Sequence, residues 1–215
     1  VIDAETKEVF EYKAKVVFLC ASTIASASIL LQSRSDRFPN GLGNDSGELG
    51  HNLMDHHFRV GANARIDGYE DKYLKGRRAN GIYIPRFRNL GGNTNQKDFL
   101  RGYGYQGGAD RNGISEIVAE LKYGPQLKQA ILEPGAWSLG ITAFGECLPD
   151  HNNKLSLDYE HTDEWGLPTV TFDADFGENE FAMRKDMKQQ AAEMLDNAGF
   201  RDINEYDDIG GMGLG

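Results

Sequence analysis

The sequence predicts an α+β chain: a strand-and-helix lobe over residues 1–57, then a lobe over 58–215 built on an antiparallel sheet flanked by helices. Three observations point there. Val16 to Cys20 is an unbroken apolar run that feeds a helical pattern. From Phe58 onward the chain breaks into short runs rich in Gly, aromatic and β-branched residues. Near the end, an alternating pair of runs is followed by a long segment of helical period. With 215 residues, 40% of them hydrophobic, there is material for one large domain or two small ones.

The elements follow in order. "VIDAETKEVFEY" reads as strand, polar turn, strand; it has no initiator Met, and the chain stops in "DDIGGMGLG" without a terminal helix, so both ends read as cuts in a longer protein. On that reading a missing leader does not separate cytoplasm from periplasm. Val16 to Cys20 has the continuous apolarity of a strand buried on both faces of a parallel sheet, and Ser22 and Thr23 offer caps for a helix carrying Ile24, Ile29, Leu30 and Leu31. Ala21, Ser22, Ala25, Ser26, Ala27 and Ser28 leave one side of this unit without bulk, open to close packing or to a ligand. Beyond Phe58, "NGIYIPRF", "GISEIVAEL" and "WSLGITAFGECL" suggest sheet strands, and "GPQLKQAILEPG" a short helix. In "NKLSLDYEHTDEWGLPTVTFDAD", Leu155, Leu157 and Tyr159 alternate, Gly166 and Pro168 turn the chain, and Val170, Phe172 and Ala174 alternate again, which predicts a hairpin within that sheet. Phe181, Met187, Ala191, Met194, Leu195 and Ala198 then share a helical face that ends at Gly199.

Charge and composition exclude several functions. A formal net charge of -10 argues against nucleic acid, which needs a concentrated positive face. The arginines gathered mid-chain (Arg77, Arg78, Arg86, Arg88, Arg101, Arg111) lie among Gly, Asn and Tyr with no stripe, as on a solvated surface. Cys20 and Cys147 sit in apolar runs as buried thiols would, fitting a reducing compartment. No run approaches the roughly 18 apolar residues of a membrane helix. "GYGYQG" matches G-x-G-x-x-G at Gly102, Gly104 and Gly107, but no buried strand precedes it and no helix follows, so it is not a dinucleotide fingerprint. The terminal "GGMGLG" fails the same test.

The densest chemistry is "GELGHNLMDHH", where His51, His56, His57 and Asp55 crowd together. His51 and Asp55, at i and i+4, could share a helical face, but glycine-rich surroundings weaken the helix and no further His, Cys or Glu cluster completes a metal site. A different reading comes from longer stretches. "AKVVFLCASTIASASILLQS" followed by "FPNGLGNDSGELGHNLMDHH" resembles the segment of the glucose-methanol-choline (GMC) oxidoreductases that runs from a buried strand to a Gly-x-Asn-Leu-x-Asp-His loop. "GECLPDHNNKLSLDYEHTDEWGLPTVTFD" resembles the same family's Glu-x-x-Pro-x-x-x-Asn-x-(apolar)-x-Leu hairpin with its Asp-x-x-Gly-Leu-Pro turn. The version here is closest to the bacterial sugar or gluconate dehydrogenase-like branch.

The resemblance implies an α/β parent in which residues 1–57 end an FAD-binding, Rossmann-like domain and residues 58–215 form a substrate domain whose tail returns toward it. FAD is the implied cofactor, with Ala21, Ser22 and Thr23, and Asn52, Leu53, Met54, Asp55 and His56, as the positions beside it. The chain departs from the family at Ser22, where an Ala-Gly pair is usual. His56 is implied as a support of the cofactor wall and not as the base. The family's Rossmann fingerprint lies upstream of this segment and its catalytic histidine downstream, so no catalytic residue is assigned here and the isolated chain is expected to be inactive. The implied substrate is a small sugar or other alcohol, oxidised at CH–OH by hydride transfer to flavin. A contrasting reading is a non-catalytic β-rich module that presents Tyr83, Phe87, Tyr103, Tyr105 and Trp137 to a carbohydrate.

Overall fold

The computed structural model describes residues 1–69, 71–72, 81–111, 123–125, 127–128 and 135–210. The expected strand in "GISEIVAEL", most of the helix in "GPQLKQAILEPG", Arg77, Arg78 and nearly all of "GGMGLG" lie outside them. In chain order the described elements are α1 (Thr23–Gln32), β1 (His57–Ile66), β2 (Gly81–Ile84), β3 (Tyr103–Arg111), β4 (Trp137–Gly145), β5 (Lys154–Thr162), β6 (Pro168–Asp173), α2 (Glu178–Asn197) and β7 (Arg201–Asp207). The mixture of helices and antiparallel sheet is the α+β class that the sequence predicts.

Two compact units divide the chain, and neither is continuous: the first takes residues 1–54 and 149–175, the second residues 55–148 and 176–215. In the first, β5 and β6 pair as an antiparallel hairpin. Asp163 makes the turn, its Oδ1 accepting the Trp165 and Leu167 amides at 2.9 Å each. The hairpin is where the alternation put it, but it is a separate two-stranded sheet and not part of the large one. Helix α1 packs against β5. Its start is irregular: Ser22 stands at φ 70, ψ 170, and its side chain caps no amide.

Val16 to Cys20 departs from expectation. These residues form no strand. Val16, Val17 and Phe18 are 67%, 79% and 85% exposed. Cys20 is an exposed thiol rather than a buried one. A two-face apolar strand is stabilised only by sheet neighbours on both sides, and among the described residues none pairs with this run.

The second unit is an antiparallel sheet in the order β2-β3-β4-β1-β7. One face is sealed by α2, whose Met183, Met187, Ala191 and Leu195 are buried with Val60, Ala62, Ala64, Ile141 and Ala143. Two tyrosines of β3, Tyr103 and Tyr105, are buried in this core because their hydroxyls find acceptors, Asp186 Oδ2 at 2.5 Å and the Met187 carbonyl at 2.6 Å. Burial of the phenols holds both well above the ordinary tyrosine pKa. The buried stripe of α2 is rotated from the predicted one: Phe181 is 44% exposed, while Glu180 and Arg184 are buried. The cause is polar satisfaction. Glu180 accepts the Gly177 amide at 3.0 Å and the Leu148 amide at 2.9 Å, starting the helix. Arg184 donates to Asp207 Oδ1 at 2.9 and 2.7 Å and to the carbonyls of Phe58 and Asp208 at 2.9 and 3.1 Å. Gly199, at φ 83, ends the helix as predicted.

Three of the mid-chain arginines are structural rather than merely solvated, Arg111 by donating to the Gly135 and Lys72 carbonyls at 3.0 Å each. Arg88 grips Asp186 with two bonds of 2.8 and 2.9 Å, and Arg86 reaches Glu146 at 2.9 Å.

Removing the acceptor of the Arg184 clamp should cost more than removing the donor. Asp207→Ala leaves a sealed guanidinium without its counter-charge, held by carbonyls alone, and is expected to lower stability by roughly 3–5 kcal/mol. Arg184→Met, which leaves behind a carboxylate that reaches water, should cost clearly less. Urea unfolding of both variants checks the order, and equal losses would contradict it.

Candidate functional site

In the first unit, residues 48–54 are laid along the start of β5. The Leu155 amide donates to the Gly50 carbonyl at 2.7 Å, the Leu53 amide to the Asn153 carbonyl at 3.0 Å, and His51 bridges Lys154. Gly50 has to be glycine: its φ is 88, and a Cβ would sit 2.6 Å from the Leu155 carbonyl oxygen. Asn153, the Asn of the hairpin motif, is buried and closes the other side, donating to the Asp175 carbonyl at 2.9 Å and accepting the Asp175 amide at 3.0 Å. Sequence reasoning missed its role, although the fixed spacing of Glu146, Pro149 and Asn153 signalled it.

The histidines sort differently from the metal pattern. His51 and His151 stack at 3.9 Å with an 11° tilt. The His51 Nδ1 donates to the His151 carbonyl at 2.6 Å, and His151 Nδ1 donates to Glu48 Oε2 at 3.1 Å. Asn52, at φ 58, donates to the same carboxylate oxygen at 2.7 Å. These bonds hold Glu48 below the usual carboxylate range. Among the described residues, no three His, Cys, Asp or Glu side chains are grouped to hold a metal.

The other predicted positions are scattered. Ala21 is half-buried, Ser22 and Thr23 are exposed, Leu53 is half-buried and Met54 is 51% exposed. Gly50 approaches α1 at Leu31, so the loop meets the helix about 13 Å along its axis from the Ala21–Thr23 turn. Asp55 and His56 open the second unit. Asp55 Oδ1 accepts the His56 amide at 2.7 Å, its carbonyl accepts the Cys147 thiol at 2.6 Å, and its Oδ2 is buried with no partner among the described residues. His56 is exposed. Burial raises Cys147 to about 11, so its thiol stays protonated near neutrality.

His57, which the sequence left unassigned, is fully buried under α2. Its Nε2 donates to the Glu146 carbonyl at 3.2 Å, which leaves Nδ1 as the lone-pair nitrogen, buried without a partner among the described residues. A Cβ on Gly145 would lie 2.2 Å from that Nε2, so a glycine is required where the ring crosses β4. Burial, and then the Arg184 charge, lower its pKa to about 4.

The sheet face away from α2 carries Gly61, Asn63 and Arg65 of β1 in register with Thr142, Gly140 and Ser138 of β4. Gln106, Gly108 and Asp110 of β3 continue the row. Glycines keep this face shallow and polar. Tyr206 crosses it, bonded to Thr142 Oγ1 at 2.6 Å. On the carbohydrate-platform reading the aromatics should be here, but Tyr103 and Tyr105 are in the core, with Phe87 packed on them. Trp137 is half-buried and donates to the Tyr69 carbonyl at 2.8 Å. Only Tyr83, 69% exposed, is available.

Two curated dehydrogenases are similar to this chain. One is 2-methyl-1,2-propanediol dehydrogenase of Mycolicibacterium austroafricanum, 31% identical over 191 residues, covering 85% of this chain and 33% of the relative. The other is the fructose dehydrogenase large subunit of Gluconobacter japonicus, 29% identical over 165 residues, covering 77% of this chain and 30% of the relative. The chain thus spans about a third of the length of the relatives it matches. No family model matches it. The likeness is to oxidoreductases.

Two outcomes are expected. Ser22→Gly should raise stability by about 1 kcal/mol, since the backbone there holds a conformation that is essentially glycine-only; an unchanged or lower unfolding midpoint would contradict this. For His57 the folded pKa of about 4 lies below the unfolded value near 6.5, so stability is full above pH 6.5 and falls as pH drops toward 4. The loss is on the order of 3 kcal/mol. His57→Gln should flatten that limb of a pH–stability curve, and an unchanged slope would exclude His57 as its source.

Proposed function

We propose that the chain is part of an FAD-dependent oxidoreductase of GMC type that acts on CH–OH groups of small sugars or other alcohols. The observation that carries the reading is the match of 77–85% of this chain to two dehydrogenases, one named for a diol and the other for a sugar.

The residues present fit a flavin dinucleotide. Ser22 replaces the glycine usual in the family, yet it holds a glycine backbone at φ 70, ψ 170, so the turn keeps the shape that lets a ligand approach the main chain. Ala21, Ser22 and Thr23 would lie along it, with first-turn amides that no side chain caps. Asn52, Leu53 and Met54 would offer a second contact. The two stretches are separated along α1, so a ligand touching both must be extended, as a dinucleotide is. When bound, FAD supplies the hydride acceptor.

This chain's own contribution is placement. The Leu155–Gly50 and Leu53–Asn153 backbone bonds and the Glu48–Asn52–His151 bonds hold the 50–54 loop in one shape. Asp55 and His56 are assigned to the cofactor wall by resemblance, and His56 as a support. The polar sheet face of the second unit is the surface this reading gives to substrate.

The test is to purify the product of the complete reading frame and measure bound flavin, then dye reduction with a panel of sugars, diols and simple alcohols. Stoichiometric flavin with polyol-dependent reduction is expected. Flavin-free protein that binds sugars without turnover would overturn the proposal in favour of a binding module.

A further inference from the structure

On the open face, at the end of the sheet where β1, β4 and β7 meet, lies a hollow of about 520 Å³ lined by Asn63, Arg65, Ser138, Gly140, Asp202 and Asn204. The volume suits a small ligand. Asn63 and Asn204 are directly paired across β1 and β7, which places two carboxamides side by side. Asn63, Arg65 and Asn204 are exposed, and among the described residues their side chains have no hydrogen-bond or ion-pair partner. Elsewhere the arginines of this unit are mostly engaged: Arg86, Arg88, Arg184 and Arg201 all hold carboxylates. Arg65 is an unspent guanidinium in a concave place.

We propose that this hollow binds a neutral polyhydroxylated ligand of monosaccharide size, held by its vicinal hydroxyls. The proposal deepens the oxidoreductase reading and takes from it only the choice of a polyol. Each carboxamide presents a donor and an acceptor in one plane, and a guanidinium presents a fork of donors. A hydroxyl both donates and accepts, so neighbouring hydroxyls complement such a set. An anion would find one cation, Arg65, beside the Asp202 carboxylate, because Arg201 is already held by Asp67 and Asp202. An apolar ligand would leave three polar side chains unpaired on burial. Gly140 keeps the floor low: a Cβ there would meet nothing nearer than Asn63 Cβ at 4.0 Å. A large side chain at that position fills the hollow without straining the strand.

The experiment is calorimetric titration of the purified full-length protein with glucose, fructose and inorganic phosphate, alongside bound flavin and the KM for the best sugar. Arg65→Ala and Asn204→Ala should each weaken sugar binding roughly tenfold. Gly140→Leu should abolish it, with thermal stability and flavin content unchanged. Sugar affinity and KM indifferent to all three substitutions, no saturable sugar binding at all, or saturable binding of phosphate alone would each overturn the proposal. The two readings fail separately. Flavin-free protein that loses sugar binding on Gly140→Leu sinks the oxidoreductase and supports the hollow, whereas an active flavoprotein indifferent to the substitutions does the reverse.

Discussion

The second unit depends on one buried cation. Arg184 lies in the core side of α2, 1% exposed, where an unpaired charge would cost several kcal/mol. Its N–H donors need acceptors, and four bonds supply them, to the Phe58 carbonyl of β1, twice to the Asp207 carboxylate at the end of β7, and to the Asp208 carbonyl. That requirement sets the rotation of α2, which in turn decides that Met183, Met187 and Ala191 seal one sheet face. The opposite face follows: among the described residues no helix packs against it, and it is left to glycines, amides and hydroxyls.

The same cation reaches into the histidine problem. His57 is neutral because it is dry and because Arg184 adds positive charge nearby. His51 holds a loop through its stacking and bond with His151, while the His56 side chain is exposed. Four residues in a row of sequence, Met54 to His57, thus pass from exposed to fully buried, and no composition rule would separate His56 from His57.

What was legible in the sequence was local. The hairpin could be read because alternation, Asp163 and Gly166 act within a few residues, and α2 because its period runs through twenty residues to Gly199. What was not legible depended on distant partners. The helix stripe is turned by Asp207 and Leu148, which no periodicity within α2 reports. Tyr103 and Tyr105 read as a display surface until Asp186 and the Met187 carbonyl supply acceptors for their hydroxyls. Val16 to Cys20 shows an appetite for burial without showing what satisfies it. Of the cofactor positions, the loop was placed by resemblance, but the clamp that shapes it, Asn153 on Asp175, joins residues 22 apart across a hairpin.

The interleaving of the two units has a kinetic consequence. Residues 1–54 cannot find their hairpin until residues 55–148 have been made, because the hairpin lies beyond them. The second unit in turn waits for α2 and β7, which follow the hairpin. Closing loops of this length costs only a few kcal/mol of chain entropy, since the cost grows with the logarithm of length. It does slow the search, because the decisive contacts are distant in sequence. During synthesis, then, the first unit can close only once residues 149–175 have been made, and the second must wait longer still, for the α2 and β7 residues that follow them.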